Sequence, residues 1–269
     1  MGSYSVLNKS DRVIGLLLGL AFGDFHGGPI RMAVRLAESL IERKAFDPKD
    51  VLTRYIKWYH DGAFDTGPVS DRVLALIISG TAPEEAVKIV HAELNGMTAG
   101  CNPTHRCGPI SMARFIDDDA LPTAAVHEAS LTHYDPLAGD VSAAMVVLCR
   151  NLIIGSDWSV ALEFAAVGRT QLTQRALRVL RRNELEQSGF APHVLAAAVY
   201  FLDKHDDLKS AMDEAFEFAG GSNYCPVLVG AIGGARWGAH QVLVDRIRHK
   251  DILPRIFRAA KKLASAWRN

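Results

Sequence analysis

The chain has 269 residues, and its 30 lysine and arginine side chains balance 30 aspartates and glutamates to a formal charge of zero. That balance excludes a dedicated polyanion binder, whose affinity comes from surplus positive charge, so no nucleic-acid partner is expected. Hydrophobic residues at 49% and charged residues at 22% exclude a disordered chain and supply a core that needs no staples.

Cys101, Cys107, Cys149 and Cys225 form no Cys-x-x-Cys pair and read as reduced thiols of a cytoplasmic protein. The apolar run 13–23 is short of the ~20 residues of a membrane span, and it lacks a signal-peptide pattern. Asn223, Pro226 and several glycines break the run 218–235. A soluble protein with no membrane partner is expected.

In chain order, Ser10 is placed to cap a helix from Asp11, with the carboxylate near the helix's positive end. Pro29 opens a second helix whose apolar face is Ala33, Leu36, Ala37, Leu40 and Ile41. Asp47-Pro48 opens 51–59, and Pro68 opens 69–79, which Gly80 ends as a left-handed cap. The segment 81–95 carries Glu84 and Glu85 in its first turn and Gly96 just after its end. The same punctuation predicts helices over 122–131, 136–154, 158–167, 170–186, 192–204, 208–219, 226–237 and 252–267. No sustained alternation and no Asn-Gly hairpin signal appears. The fold class is therefore all-α, with roughly a dozen helices in one domain over residues 1–269.

Two glycine ladders stand out. Gly15, Gly19 and Gly23 are spaced four apart, and so are Gly230, Gly234 and Gly238. Each helical glycine costs about 1 kcal/mol relative to alanine, a cost that close helix approach or a nearby ligand would offset. The first ladder runs into Gly23-Asp24-Phe25-His26-Gly27-Gly28, and the second emerges from Gly220-Gly221-Ser222-Asn223-Tyr224-Cys225-Pro226. If the ladders pack together, both loops line one cavity, and the amides around Gly221, Ser222 and Asn223 face an anion such as phosphate. Tight packing without a ligand is the alternative.

The same residues resemble the ADP-ribosylglycohydrolase family, which includes the dinitrogenase reductase-activating glycohydrolases. Residues 12–24 resemble its opening helix and Gly-Asp motif, and 32–40 its second helix. Phe64-Asp65-Thr66-Gly67 is similar to its Asp-Ile-Gly turn. Asn102 through Ile110 is similar to its Asn-Gly, Met-Arg and Pro-Leu segment, Thr132-His133-Tyr134-Asp135-Pro136 to its His-x-Asp-Pro motif, and 220–238 to its final motif. The order is the family's, from about residue 11 to 240. The resemblance implies a compact, single-domain orthogonal helical bundle. It also marks a departure. The family's Thr-Asp-Asp-Thr magnesium motif falls on Gly27-Gly28-Pro29-Ile30, and its late Asp-x-Asp-Thr motif on Ser222-Asn223-Tyr224-Cys225. Magnesium needs several oxygen ligands in near-octahedral geometry, so no metal ligand and no cofactor is expected here.

Asp65 reads as a general base or oxocarbenium stabiliser, or else as a helix N-cap. Asp24, at the end of a ladder, is the second catalytic candidate. Arg106 and Asn102 are candidate ligand contacts or loop-structuring groups, and His105 a proton carrier near neutral pH. His133 is either a ligand contact or part of a capped loop entering the next helix. Cys101, His105, Cys107 and Cys225 match no common zinc spacing, and free cysteines are mostly small buried hydrophobes. The arginines at 175, 178 and 182 read as a solvated helical stripe. The expected function is cleavage of an anomeric bond in an ADP-ribosylated or ribosylated small molecule or protein, without dinuclear magnesium. A non-catalytic protein that binds ADP-ribose or a protein partner, or a structural protein, is the alternative.

Overall fold

The computed structural model describes residues 8–179 and 181–267. Among them are fifteen α-helices and no strand. The one β-bridge pairs Gly100 with Phe190.

Helix α1 (Lys9–Gly23) begins earlier than its sequence suggested. The Asn8 side chain caps it by accepting from the Asp11 amide, while Ser10 sits inside the helix and donates its hydroxyl to the Ala264 carbonyl. The helices α2 (Gly28–Arg43), α3 (Pro48–His60), α4 (Pro68–Ile78) and α5 (Pro83–Glu93) follow the proline punctuation closely. Prolines suit these starts because a first-turn residue has no intrahelical use for its N–H.

The segment expected as a loop coils instead into two five-residue helices, α6 (Asn102–Arg106) and α7 (Gly108–Met112), each with proline in its first turn. Next come α8 (Leu121–Ser130), α9 (Pro136–Ile154) and α10 (Trp158–Ala166). The predicted helix over 170–186 shrinks to α11 (Gln171–Ala176), followed by a 3₁₀ turn at Arg182–Glu184. Continuing it would stack Arg175, Arg178 and Arg182 on one face, where like charges repel. Among the described residues of this region only Thr173, Ala176 and Leu177 are buried to compensate. The chain closes with α12 (Ala191–Lys204), α13 (Leu208–Ala219), α14 (Tyr224–Trp237) and α15 (Leu253–Ala264).

The two glycine ladders meet. A Cβ on Gly19 would run into the Gly230 carbonyl, and one on Gly230 into the Gly19 carbonyl. Gly15 and Gly234 are related in the same way, and Gly23 lies on the Pro226 carbonyl. Gly238 is not a rung; it caps the end of α14 with φ 87°. The backbones of α1 and α14 therefore touch directly, and this pair is the most intimate helix contact in the fold.

Around it one core runs from Val13 to Trp267, and a small satellite of Val69, Val73, Ala86, Val87 and Val90 lies between α4 and α5. Helix α9 is long and apolar enough to cross a membrane by length and composition, but 72% of its most apolar window is buried. It packs against α8, α10, α14 and α7. Such all-round burial is what makes a core helix apolar on every face.

Candidate functional site

Because α1 and α14 lie in contact, the end of one and the start of the other come together, and the loops beyond them share a wall. Here lies a cavity of about 750 Å³. Its wall takes His26 from the first loop, Gly221, Ser222, Asn223 and Tyr224 from the second, and Asp65 from the turn before α4. The volume is in the range of small-molecule sites.

The start of α2 organises the polar end of this cavity. Asp24 accepts from the amides of His26 (3.1 Å), Gly27 (2.7 Å) and Ile30 (2.9 Å). Asp65 reaches the same helix start and accepts from the Gly28 amide at 3.2 Å through Oδ2. Two carboxyl groups thus take up the free N–H groups of one helix N-terminus, where the helix dipole favours negative charge. Between them lies the Asn223 amide. Its Nδ2 donates to Asp24 Oδ1 (2.8 Å) and to Asp65 Oδ2 (2.7 Å), while its Oδ1 accepts from Phe25 (2.7 Å) and His26 (3.3 Å). Flipping the amide would set oxygen against two carboxyls and nitrogen against two N–H donors, so the network fixes its orientation.

Burial raises the pKa of Asp24 above the ordinary carboxylate value, and the Ile30 and Gly27 amides, His249 and the Asn223 amide pull against that rise. The Asp65 pKa is raised as well, first by burial and then by the negative charge of Asp24. The two side chains differ in reach. Asp24 is 1% exposed and does not line the cavity, so it cannot touch a ligand there. Asp65 does line it, and among the described residues its Oδ1 makes no hydrogen bond. Asp65 is also one of three non-glycine residues with positive φ among the described residues, at 53°. It is not the N-cap of α4, which is Gly67. A carboxyl held in a sparsely populated backbone region at a cavity wall is a recurrent mark of functional sites.

The turn that carries Asp65 is pressed against α2. A Cβ on Gly28 would collide with the Asp65 carbonyl, and one on Gly67 would strike the Asn102 side chain. Asn102 ties the turn down by donating to the Thr66 carbonyl at 3.0 Å, and it also lines the cavity. Its neighbour Arg106 is not at the wall. It is fully buried, bonded through Nε to Glu128 at 2.6 Å and through Nη2 to Thr132 at 2.9 Å, so it holds α6 to α8 instead of a ligand.

His105 lines the cavity, but its Nε2 donates to the Tyr224 carbonyl at 2.8 Å, and burial lowers its pKa to about 4. With its pKa so lowered it is neutral at pH 7 and does not take up a second proton between pH 6 and 8, contrary to the role read from the sequence. His133 is buried and neutral, its pKa pulled down by burial and by the Arg106 charge. The Thr132 hydroxyl accepts from Arg106 and lies 2.8 Å from His133 Nδ1, while His133 Nε2 has no partner and faces Gly100, a wall residue. Asp135 caps α9 by accepting from the Leu137 amide, and it too borders the cavity.

Sequence reasoning missed the apolar part of the wall, including Val69, Met97, Ala99 and Phe190. Nothing local in their sequence marks them; the Gly100–Phe190 bridge brings the last of them in. All four cysteines are unpaired and buried, and burial pushes the thiols of Cys101 and Cys225 up to about 12. A thiolate nucleophile is thereby disfavoured. No group of three His, Cys, Asp or Glu side chains among the described residues is arranged to hold a metal ion.

Comparison with known proteins now bears on this arrangement. A model of the ADP-ribosylglycohydrolase family matches residues 30–269. The chain belongs to the ADP-ribosylglycohydrolase family. The match begins beyond the Gly-Asp stretch, so Asp24 is tied to the site by geometry alone. Among curated protein sequences none matches. Among solved structures, an ADP-ribosylglycohydrolase-related protein complex is 22% identical with a TM-score of 0.79, over 97% of this chain and 99% of that one. At that identity the likeness speaks for the all-α fold.

Proposed function

We propose that this member of the family binds an ADP-ribosyl or related ribosyl group and hydrolyses its glycosidic bond without dinuclear magnesium. The observation that carries the reading is the Asp24–Asn223–Asp65 cluster. Magnesium between two carboxylates needs further oxygen ligands; here an N–H₂ group lies between them, and the surrounding groups are amide donors. Gly28 cannot carry a ligating side chain in this backbone, because its Cβ would overlap the Asp65 carbonyl. The residues present therefore do not fit the family's metal pair, and no step is routed through it.

In this reading Asp65 is the catalytic residue. Its free Oδ1 accepts the proton of a water whose oxygen bonds to the anomeric carbon, while the glycosidic bond breaks with its electron pair going to the leaving atom. The same carboxyl passes the proton on to that atom and returns to its starting state. A raised pKa suits a group that must both take and give a proton. Asp24 is a positioning residue that acts through its charge on Asp65 and its hold on Asn223. Asn102 and the amides around Ser222 hold the ligand. The reading includes a cytoplasmic location, which the four unpaired thiols support.

The test is release of ribose or ADP-ribose from ribosylated and ADP-ribosylated substrates, in magnesium and in EDTA. Equal rates are expected in both buffers. Asp65→Asn should lower turnover by about 10²- to 10⁴-fold with binding retained. A second reading, binding without catalysis, draws on the fact that Asp65 Oδ2 is already engaged by two donors. Under it the wild type shows no turnover to lose.

A further inference from the structure

The cavity has an electrostatic character that the family resemblance does not suggest. Among the described residues no lysine or arginine lines it; the ionisable side chains on its wall are Asp65, Asp135, Cys101, Tyr224 and two histidines. Both histidines have a ring nitrogen committed to a backbone carbonyl, His26 to Gly221 at 2.9 Å and His105 to Tyr224 at 2.8 Å. Behind the wall, Arg106 is neutralised by Glu128, and Arg31, held at the Gly27 carbonyl, is paired with Asp251. The start of α14 offers about half a positive charge, set against two carboxyl groups. The start of α2, the other helix N-terminus nearby, is already filled by Asp24 and Asp65.

A pyrophosphate entering such a site would give up its hydration and meet no cation in return, a cost that sites for phosphate ordinarily offset with arginine or lysine. The remaining wall is apolar and aromatic, with Val69, Met97, Ala99, Phe190 and Tyr224. It suits the face of a heterocyclic base, and aromatic rings beside carboxyls also suit a cationic one.

Building on the reading of this cavity as a ribosyl site, we propose that its ligand is an unphosphorylated N-ribosyl compound, a neutral or cationic nucleoside, and not one bearing a pyrophosphate. The base lies against the Phe190 and Met97 side and the ribose faces Asp65.

Calorimetric titration of the full chain with adenosine, nicotinamide riboside (a cationic nucleoside) and ADP-ribose tests this. The expected result is that at least one nucleoside binds about tenfold or more tightly than ADP-ribose. ADP-ribose binding as tightly as the nucleosides, or more tightly, overturns the proposal and leaves the ribosyl site standing. Binding by none of the three overturns both. Met97 lies at the rim, 75% exposed. A Met97→Lys variant should raise the affinity for ADP-ribose relative to adenosine severalfold; an unchanged ratio would show that charge does not discriminate, and would count against the proposal.

Discussion

Asp24 and Asp65 differ in what surrounds them more than in what they are. Both sit at the start of α2 and both have raised pKa values, yet one is sealed behind its four donors while the other keeps an oxygen at the cavity. Because the Asp24 charge helps to raise Asp65, Asp24→Asn should let the Asp65 pKa fall. A pH–rate profile of kcat/KM should then show its acidic limb displaced to lower pH; an unmoved limb would deny the coupling. His105 makes a stability prediction of the opposite kind. Its pKa drops from 6.5 to about 4 on folding, so the unfolded chain binds the proton more tightly. The stabilisation is complete above pH 6.5 and is lost as pH falls from 6.5 towards 4, on the order of 3 kcal/mol for this group. Urea unfolding across that range should show a shallower dependence in His105→Gln, with the share due to His133 remaining.

Among elements, the α1–α14 pair decides where the site lies. Direct backbone contact needs glycine at each rung, and the helix-propensity cost is offset by the close packing of two long apolar faces. Gly19→Ala would gain about 1 kcal/mol in propensity, but its Cβ overlaps the Gly230 carbonyl, and overpacking of this kind costs typically 1–3 kcal/mol or more. We expect net destabilisation, read as a lower urea midpoint at unchanged m value. A more stable variant would mean that the two helices can separate without harm. The short helices α6 and α7 make the complementary point. Five-residue helices have little stability of their own; Arg106 and Asn102 anchor α6 to α8 and to the Asp65 turn, while Arg150 and Trp267 hold α7 by donating to the Ser111 and Met112 carbonyls.

For the whole molecule, ligands act through linkage: anything that binds only the folded state raises its stability, by about 2.7 kcal/mol at a hundredfold excess over Kd. If Asn223 occupies the place between the two carboxyls, millimolar magnesium and EDTA should leave Tm alike. A magnesium-dependent rise in Tm would sink the metal-free reading of the cluster. The bulk of the fold is insensitive to this question, since one core joins α1 to α15 and the site lies where six segments meet.

Much of the architecture was legible from residue order alone, because prolines at helix starts, glycines after helix ends and apolar spacing act over a few residues. Helix α9 runs over the span read from its sequence, and the family's motifs appear in their order. The ladders also pointed towards a pairing, since costly helical glycines at matched spacing need a reason, although Gly238 is a cap and not a rung. What stayed hidden is what long-range packing decides. No local signal tells that Arg106 turns inward to Glu128, that Asp65 caps a helix other than the one it precedes, or that Asn223 reaches across 199 positions to Asp24. Burial and hydrogen-bond partners belong to the folded chain, and they set which of two identical carboxyl groups faces a ligand.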